Sequence, residues 1–160
     1  MGERPGSRRE LRWSSLEQTR DFGRRLGALL RGGDVLVLTG DLGAGKTTLT
    51  QAVAEGLGVR GPITSPTFVI ARVHPSLVGG PELVHVDAYR LGSALELDDL
   101  DLDADLHASV TVVEWGAGLA EQLSDARLEL TITRDDERTV ELTGVGPRWD
   151  AVLDELAPVI

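Results

Sequence analysis

The sequence predicts a three-layer α/β domain that has a mostly parallel sheet and an antiparallel hairpin at its edge. Short apolar runs rich in valine and leucine alternate with helical patterns through most of the chain, which is the order expected of parallel strands joined by helices. The C-terminal part differs, because "RLELTIT" and "RTVELTG" alternate apolar with polar residues and are joined by "RDDE", a pattern that favours an antiparallel hairpin. A hydrophobic fraction of 41% over 160 residues suits a single core.

The first helix is predicted from a capping box and from the spacing of apolar residues. Ser14 is followed three residues later by Glu17, which matches the box, and Gly32–Gly33 ends the helix. Residues 1–13 are rich in Arg, Gly and Pro, so we expect a flexible basic tail over 1–13 and a single domain over 14–160. The predicted apolar face of this helix consists of Leu16, Phe22, Leu26, Leu29 and Leu30.

The remaining elements follow from the same patterns. A second helix is predicted from Lys46 to Leu57 and is closed by Gly56 and Gly58. The other predicted elements are strands in "DVLVLT", from about Phe68 in "ITSPTFVIARV", in "ELVHVDAY" and in "VTVVEW", helices near 93–106, in "GLAEQL" and in "WDAVLDELAPV", and a turn over 74–81.

Composition limits the possible partners. A net charge of −10 repels a nucleic-acid backbone, so direct and tight binding to RNA or DNA is disfavoured. The chain has no cysteine, which removes disulfides, zinc–thiolate sites and thiol nucleophiles. It has neither an apolar run of about eighteen residues nor the apolar core of a secretory signal. We therefore expect a cytoplasmic protein that contacts neither a membrane nor DNA.

A phosphate-binding loop is predicted between the strand in "DVLVLT" and the helix that begins at Lys46. The pattern G-x4-G-K-[ST] is met by Gly40, Gly45, Lys46 and Thr47, with Gly43 inside the loop, and it lies between an apolar strand and a helix. Glycines allow backbone N–H groups to surround an anion, and the helix N-terminus favours negative charge. Lys46 is expected to reach the β- and γ-phosphates and Thr47 to place its hydroxyl on Mg²⁺. The pattern predicts a P-loop NTPase domain that binds ATP or ADP with Mg²⁺.

Lys46 is the only lysine among sixteen basic side chains. Arginine carries a broad planar fork, whereas lysine is a compact ammonium that fits a narrow phosphate loop. Arginine can replace lysine on a solvated surface but not in such a loop. The isolated lysine therefore supports a functional interpretation of the loop over a purely structural glycine-rich turn.

Two acidic residues are candidates to complete the site. Asp87 ends "ELVHV" and Glu114 ends "VTVV", and ligands of such sheets bind at the carboxyl ends of the strands. Either one could hold the water shell of Mg²⁺. Residue chemistry alone leaves open which of the two serves the metal, and the structural alternative for each is a solvated acid at a strand end.

Other segments have both a structural and a functional interpretation. "TSPTF" over 64–68 is either a turn that enters a strand or a segment that senses the γ-phosphate. Six acids between Glu96 and Asp105 form either a solvated helix face or a docking surface for a basic partner. The three histidines, His74, His85 and His107, are scattered along the sequence and are assigned no chemistry.

Several classes of P-loop protein are disfavoured by what the chain lacks. It contains no asparagine, so it lacks the Asn-Lys-x-Asp element with which GTPases read guanine. Residues 91–126 contain no Lys or Arg, so no cationic lid of the kind found in small-molecule kinases follows Arg90. A small-molecule kinase and a non-hydrolysing, nucleotide-dependent adaptor nevertheless stay open as alternatives to an ATPase.

Four blocks of sequence together resemble one known family. "GDLGAGKTTL", "SPTF", "HVDAYRL" and "VVEWG" occur in the order and at the spacing of the TsaE (YjeE-type) family, over about residues 14–145. The resemblance implies an accessory ATPase of tRNA threonylcarbamoyladenosine modification at position 37. It also implies that the protein joins the TsaB–TsaD heterodimer, contacts tRNA only indirectly and has weak activity alone.

The resemblance also implies roles for individual residues. Lys46 and Asp87 would be catalytic, with Asp87 orienting or activating water. Thr47 and Glu114 would serve Mg²⁺. Residues near the nucleotide would be Gly43, Ala44, Gly45, Lys46, Thr47, Thr48, Trp115 and, at the start of the first helix, Ser15.

Overall fold

The structure, a computed structural model, describes residues 7–40, 46–59, 71–87, 108–114, 126–134 and 138–156. These residues form seven strands in one sheet and three helices. The strands are β1 Ser7–Trp13, β2 Val35–Gly40, β3 Ala71–His74, β4 Leu83–Asp87, β5 Val110–Glu114, β6 Arg127–Arg134 and β7 Arg138–Val145. The helices are α1 Leu16–Leu29, α2 Lys46–Leu57 and α3 Pro147–Leu156.

The sheet has the order β1-β7-β6-β2-β5-β4-β3. β2 pairs in parallel with both β5 and β6, and β4 pairs in parallel with β5. β7 is antiparallel to both of its neighbours, so β1 runs in the same direction as β6 and β2. Five of the seven strands therefore share one direction and only β3 and β7 oppose them, which confirms the predicted mostly parallel α/β sheet.

The predicted tail is wrong for residues 7–13, because they form β1 and pair with β7 along their whole length. Leu11 and Trp13 point into the core, where they are 6% and 4% exposed, and the Trp13 ring lies 5.4 Å from that of Phe22. Arg8 and Arg12 are exposed on the other positions of the strand. Only two apolar residues mark this period-two pattern, and the arginines around them resemble a solvated tail. The β6–β7 hairpin is thus flanked by β1 rather than lying at the extreme edge.

The first helix is capped one residue later than predicted. Ser15, not Ser14, is the N-cap, and its hydroxyl accepts a hydrogen bond from the backbone N–H of Gln18 at 3.3 Å. The Gln18 side chain in turn accepts from the backbone N–H of Ser14 at 2.8 Å. The arrangement is a variant of the capping box, in which the glutamine side chain bonds the N–H of the residue before the N-cap.

All three helices lie on one face of the sheet, since α1 packs directly on both α2 and α3. Alternate strand residues on that face, such as Leu36 and Leu38, join the main core, whereas Val35 and Val37 form a separate cluster. α1 and α2 approach closely at glycines: a Cβ at Gly27 would lie 2.2 Å from the carbonyl oxygen of Val53. A side chain there would push the helices apart.

α2 ends where the glycine pattern predicts, because Gly58 adopts φ +83°, a left-handed conformation that glycine accepts without a Cβ clash. The predicted helices near 93–106 and in "GLAEQL", and the start of a strand at Phe68, lie outside the described residues. Within the described ranges, none of the helices has the length and apolar character that crossing a bilayer requires.

Candidate nucleotide-binding site

The carboxyl ends of β2, β5 and β4 meet at one edge of the sheet. β2 ends at Gly40, and α2 begins six residues later at Lys46. In the register of the sheet Leu38 lies opposite Glu114, and Glu114 lies opposite Asp87. The phosphate-loop strand and both candidate acids are therefore at the same edge, where α/β sheets bind ligands.

Lys46 is held against the start of the loop. Its side chain is buried, with the residue 6% exposed, and its Nζ donates a hydrogen bond to the carbonyl oxygen of Gly40 at 2.5 Å. The ammonium of the first residue of α2 thus contacts the last residue of β2. Burial of a cation is costly unless partners solvate it, so a lysine placed here indicates a site built for negative charge.

The first turn of α2 carries the two threonines that the motif assigns to the site. Thr47 and Thr48 are half-buried and directly follow Lys46. The N-terminal turn of a helix has backbone N–H groups without helical partners, which bind anions. Gly43, Ala44 and Gly45 lie outside the described residues.

Glu114 occupies the face of the sheet that α2 covers. It follows Val110 and Val112 at two-residue intervals, and both valines belong to the core formed with Leu38 and the α2 residues Leu49 and Val53. Since strand side chains alternate between faces, Glu114 lies on that same face, where it is 4% exposed. A carboxylate is thereby placed beside the strand that leads into the loop.

His85 is the functional candidate that the sequence analysis missed. Its Nε2 lies 2.6 Å from Oε2 of Glu114, and the two side chains are 0% and 6% exposed. His85 pairs in register with Val112, so it is the diagonal neighbour of Glu114 on the adjacent strand. The available signal in the sequence was that His85 stands two residues before Asp87 in a predicted strand. Because strand residues alternate between the two faces of a sheet, His85 and Asp87 belong to the same face.

The other predicted residues are placed less completely. The backbone of Asp87 ends β4 opposite Glu114, but nothing is described of its side chain. Trp115 lies outside the described residues.

Ser15 reaches the same edge of the sheet by a different route. β1 runs parallel to β2 and ends at Trp13, so the start of α1 lies at the carboxyl edge of the sheet, with β7 and β6 between β1 and β2. Ser15 is exposed there as the N-cap. One turn further on, Thr19 is buried, and its hydroxyl has no hydrogen-bond partner in the part of the chain that the structure describes.

A second buried charge cluster lies at the opposite edge. Asp34, just before β2, accepts hydrogen bonds from Arg148 at 2.6 and 2.7 Å and from the backbone N–H of Arg31 at 2.6 Å. Arg148 also donates to the carbonyl oxygen of Leu29 at the end of α1. The hydrogen bond with Asp34 raises the pKa of Arg148 above its usual value, so the guanidinium stays protonated. This cluster is structural: it joins α3, α1 and β2 away from the loop.

Comparison with known proteins points to one family. Residues 13–141 match the family model described as threonylcarbamoyl adenosine biosynthesis protein TsaE. The chain is 61% identical over 137 residues to the Streptomyces coelicolor protein named tRNA threonylcarbamoyladenosine biosynthesis protein TsaE, covering 81% of this chain and 93% of the relative. It is 41% identical over 154 residues to the Bacillus subtilis protein of the same name, covering 93% and 95%.

The crystal structure of the Bacillus subtilis protein YdiB is similar over the whole fold. Its TM-score is 0.77 at 36% identity, and the match covers 98% of both chains. This likeness confirms the predicted α/β P-loop NTPase fold. From the family model, the relatives and this structure together, the chain belongs to the TsaE family.

Proposed function

We propose that this chain is the accessory ATPase of bacterial tRNA threonylcarbamoyladenosine biosynthesis, and that it binds and hydrolyses Mg·ATP. The observation that carries the proposal is the position of Glu114 relative to Lys46. Glu114 lies opposite Leu38, and Leu38 stands two residues before Gly40, whose carbonyl oxygen accepts the hydrogen bond from Lys46. A buried lysine and a buried carboxylate at the edge where the loop begins are the two charges that a P-loop site requires.

The nucleotide would be held mainly by the loop and the first turn of α2. Backbone N–H groups of residues 43–48 would bind the phosphates, and Lys46 would leave Gly40 to contact the β- and γ-phosphates. The resemblance adds Trp115 and Ser15 near the rest of the nucleotide. The position of Ser15 at the carboxyl edge of the sheet is compatible with that role.

The donors fit Mg²⁺, which prefers hard oxygen ligands and uses one or two protein groups together with substrate phosphates. Thr47, in the first turn of α2, would offer a hydroxyl, and Glu114 a carboxylate that burial holds at the same edge. When bound, the ion would neutralise charge on the transferring phosphoryl group. Asp87, opposite Glu114 in register, would orient or activate the attacking water.

The partners follow from the family and not from the geometry. The relatives are named as tRNA threonylcarbamoyladenosine biosynthesis proteins. We propose that this chain works in the cytoplasm with a TsaB–TsaD heterodimer that itself holds the tRNA. The net charge of −10 supports indirect contact, since a surface of that sign repels RNA.

The test is phosphate release from ATP by the purified protein, alone and with TsaB–TsaD and tRNA, with Lys46→Ala as the blank. We expect weak release alone and a clear rise with the complex. Tight Mg·ATP binding with no response to the complex would overturn the accessory role. A phosphorylated product formed in step with ADP would identify a kinase, and nucleotide-dependent partner binding without phosphate release would identify an adaptor.

A further inference from the structure

The contact between His85 and Glu114 is buried on both sides. His85 is fully buried, Glu114 is 4% exposed, and 2.6 Å separate Nε2 from Oε2. His85 belongs to β4 and Glu114 to β5, two neighbouring parallel strands whose register makes the residues diagonal neighbours. The contact is therefore fixed by the sheet itself and not by a loop.

The chemistry of the two groups determines the direction of the hydrogen bond. A carboxylate that serves Mg²⁺ is ionised and only accepts, so the proposed metal site requires Nε2 to carry its proton and to donate a hydrogen bond to Oε2. The other ring nitrogen, Nδ1, is buried and has no hydrogen-bond partner among the described residues. Within the described ranges His85 thus makes a single side-chain polar contact, and that contact is with the acid.

We propose that His85 is a positioning residue for Glu114. Its Nε2–H occupies Oε2 and fixes the carboxylate plane, so that Oε1 is presented to the Mg²⁺ shell in one orientation. Groups that hold a metal-binding carboxylate in this way act on the metal through the ligand. The inference rests on the proposed function, because it assigns His85 to the same metal site.

A purely structural role for the pair is the alternative. Buried ionisable pairs are seldom more stable than apolar residues of the same size, so the pair needs a reason other than stability. The two interpretations differ in what they predict when the histidine is replaced. If the pair is purely structural, replacement of His85 should impair folding and nucleotide binding both with and without Mg²⁺. If His85 is a positioning residue, its replacement should impair only the binding that depends on Mg²⁺.

The experiment compares ADP binding by calorimetry in EDTA and over a Mg²⁺ titration. For His85→Leu we expect ADP affinity in EDTA to stay within about twofold of wild type. The Mg²⁺ concentration that produces half of the Mg²⁺-dependent change in ADP affinity should rise about tenfold or more. His85→Gln keeps an N–H donor and should recover most of the loss. His74→Leu is the matched control, since His74 is buried on β3 opposite Leu83 at the far end of β4.

Two results would overturn the inference: a Mg²⁺ dependence in His85→Leu equal to that of wild type, or an equal loss in EDTA and in Mg²⁺. If wild type itself shows no effect of Mg²⁺ on ADP affinity, the proposed function fails instead, which keeps the two failures distinct. Melting curves establish that each variant is folded.

A measurement on the wild-type protein does not depend on the folding of a variant at position 85. The side-chain nitrogens of the three histidines are observed by ¹⁵N NMR at one fixed pH and assigned through His74→Leu and His107→Leu. Adding Mg²⁺ to the ADP-bound protein should shift Nε2 of His85 and leave His74 unchanged. An unshifted His85 in a protein whose ADP affinity responds to Mg²⁺ would overturn the inference.

Discussion

The ammonium group of Lys46 donates to the carbonyl oxygen of Gly40, 2.5 Å away, and so joins the two ends of the five-residue segment 41–45. The last residue of β2 and the first residue of α2 are thereby in contact through the only lysine in the chain. The ammonium carries three N–H donors, and a phosphate is the kind of charged acceptor that binds it most strongly.

Replacement of Lys46 should strongly weaken nucleotide binding without unfolding the protein. A hydrogen bond to a charged group contributes about 1.5–3 kcal/mol, so Lys46→Ala should weaken Mg·ATP binding by about 10- to 150-fold. Lys46→Arg should fail as well, because the planar guanidinium does not fit a loop shaped for an ammonium. Calorimetry measures both, with exposed Arg20→Ala on α1 as the control. Normal Mg·ATP affinity in Lys46→Ala would remove the phosphate loop from the mechanism.

The two acids at the carboxyl edge should separate binding from hydrolysis. We expect Asp87→Asn and Glu114→Gln to keep measurable ATP affinity, while phosphate release falls by about 10² to 10⁴ if each acid acts in the chemical step. Glu141→Gln on β7, distant in the sheet, should release phosphate at the wild-type rate. Unchanged turnover in both acid variants would exclude the two carboxylates from the reaction.

Asp34→Ala should destabilise the fold and leave the site chemistry alone. The change removes the acceptor of Arg148 and of the Arg31 N–H, and we expect a loss of about 2–4 kcal/mol, less than for a fully buried pair because the Arg148 side chain is 27% exposed. Denaturant unfolding measures it. Exposed Asp21→Ala, which removes only an i,i+3 pair with Arg24, should cost about 0.5 kcal/mol or less.

The same pair predicts a lack of pH dependence. The pKa of Arg148 is raised in the folded state, so its contribution is fully present below the ordinary arginine pKa and is lost only as pH rises through the raised value. The difference in unfolding free energy between wild type and Asp34→Ala should therefore be equal at about pH 6.5 and about pH 9. A deficit that shrinks across that interval would contradict the assignment of the effect to this ion pair.

Close packing of α1 on α2 predicts strong effects of small changes at glycine. A Cβ at Gly27 would lie 2.2 Å from the Val53 oxygen, and one at Gly56 would lie 2.1 Å from the Arg24 oxygen. Each Gly→Ala change should cost about 1–3 kcal/mol, because backbone atoms cannot yield as a flexible side chain would. Gly80→Ala, whose Cβ would meet its nearest atom at 3.7 Å, is the control and should be nearly neutral in thermal melts.

The parts of the fold that follow from local pattern could be predicted from the sequence. β2 and α2 have continuous apolar or periodic runs with glycine at both ends, and the helix begins at Lys46 and ends at Leu57 as expected. β1 was missed because its stability comes from pairing with β7 at the far end of the chain, and no local pattern encodes a distant partner. The N-cap is Ser15 and not the predicted Ser14. The two adjacent serines offer equivalent hydroxyls, and only the direction in which the chain enters the helix selects one of them.

The candidate site likewise contains residues that a local pattern predicts and one that depends on the pairing of distant strands. Lys46, Thr47 and Glu114 were predicted from a motif and from strand ends, and the register places β2, which precedes Lys46, beside β5, which ends at Glu114. His85 could not be assigned, since 29 residues separate it from Glu114 and only the β4–β5 pairing makes them neighbours. A scattered histidine has no sequence signal until the topology is known.

The pairing of β1 with β7 has a consequence for synthesis on the ribosome. Residues 7–13 emerge before the rest of the sheet, but synthesis of their partner strand 138–145 begins about 125 residues later. At translation rates of about 5–20 residues per second, the N-terminal strand waits roughly 6–25 s with Leu11 and Trp13 exposed. The central strand β2 likewise cannot pair with β6 until residues 127–134 have been synthesised. The nascent chain cannot complete its sheet until β7 has been synthesised, and the arginines around Leu11 are charged residues of the kind that limit aggregation of an unpaired strand.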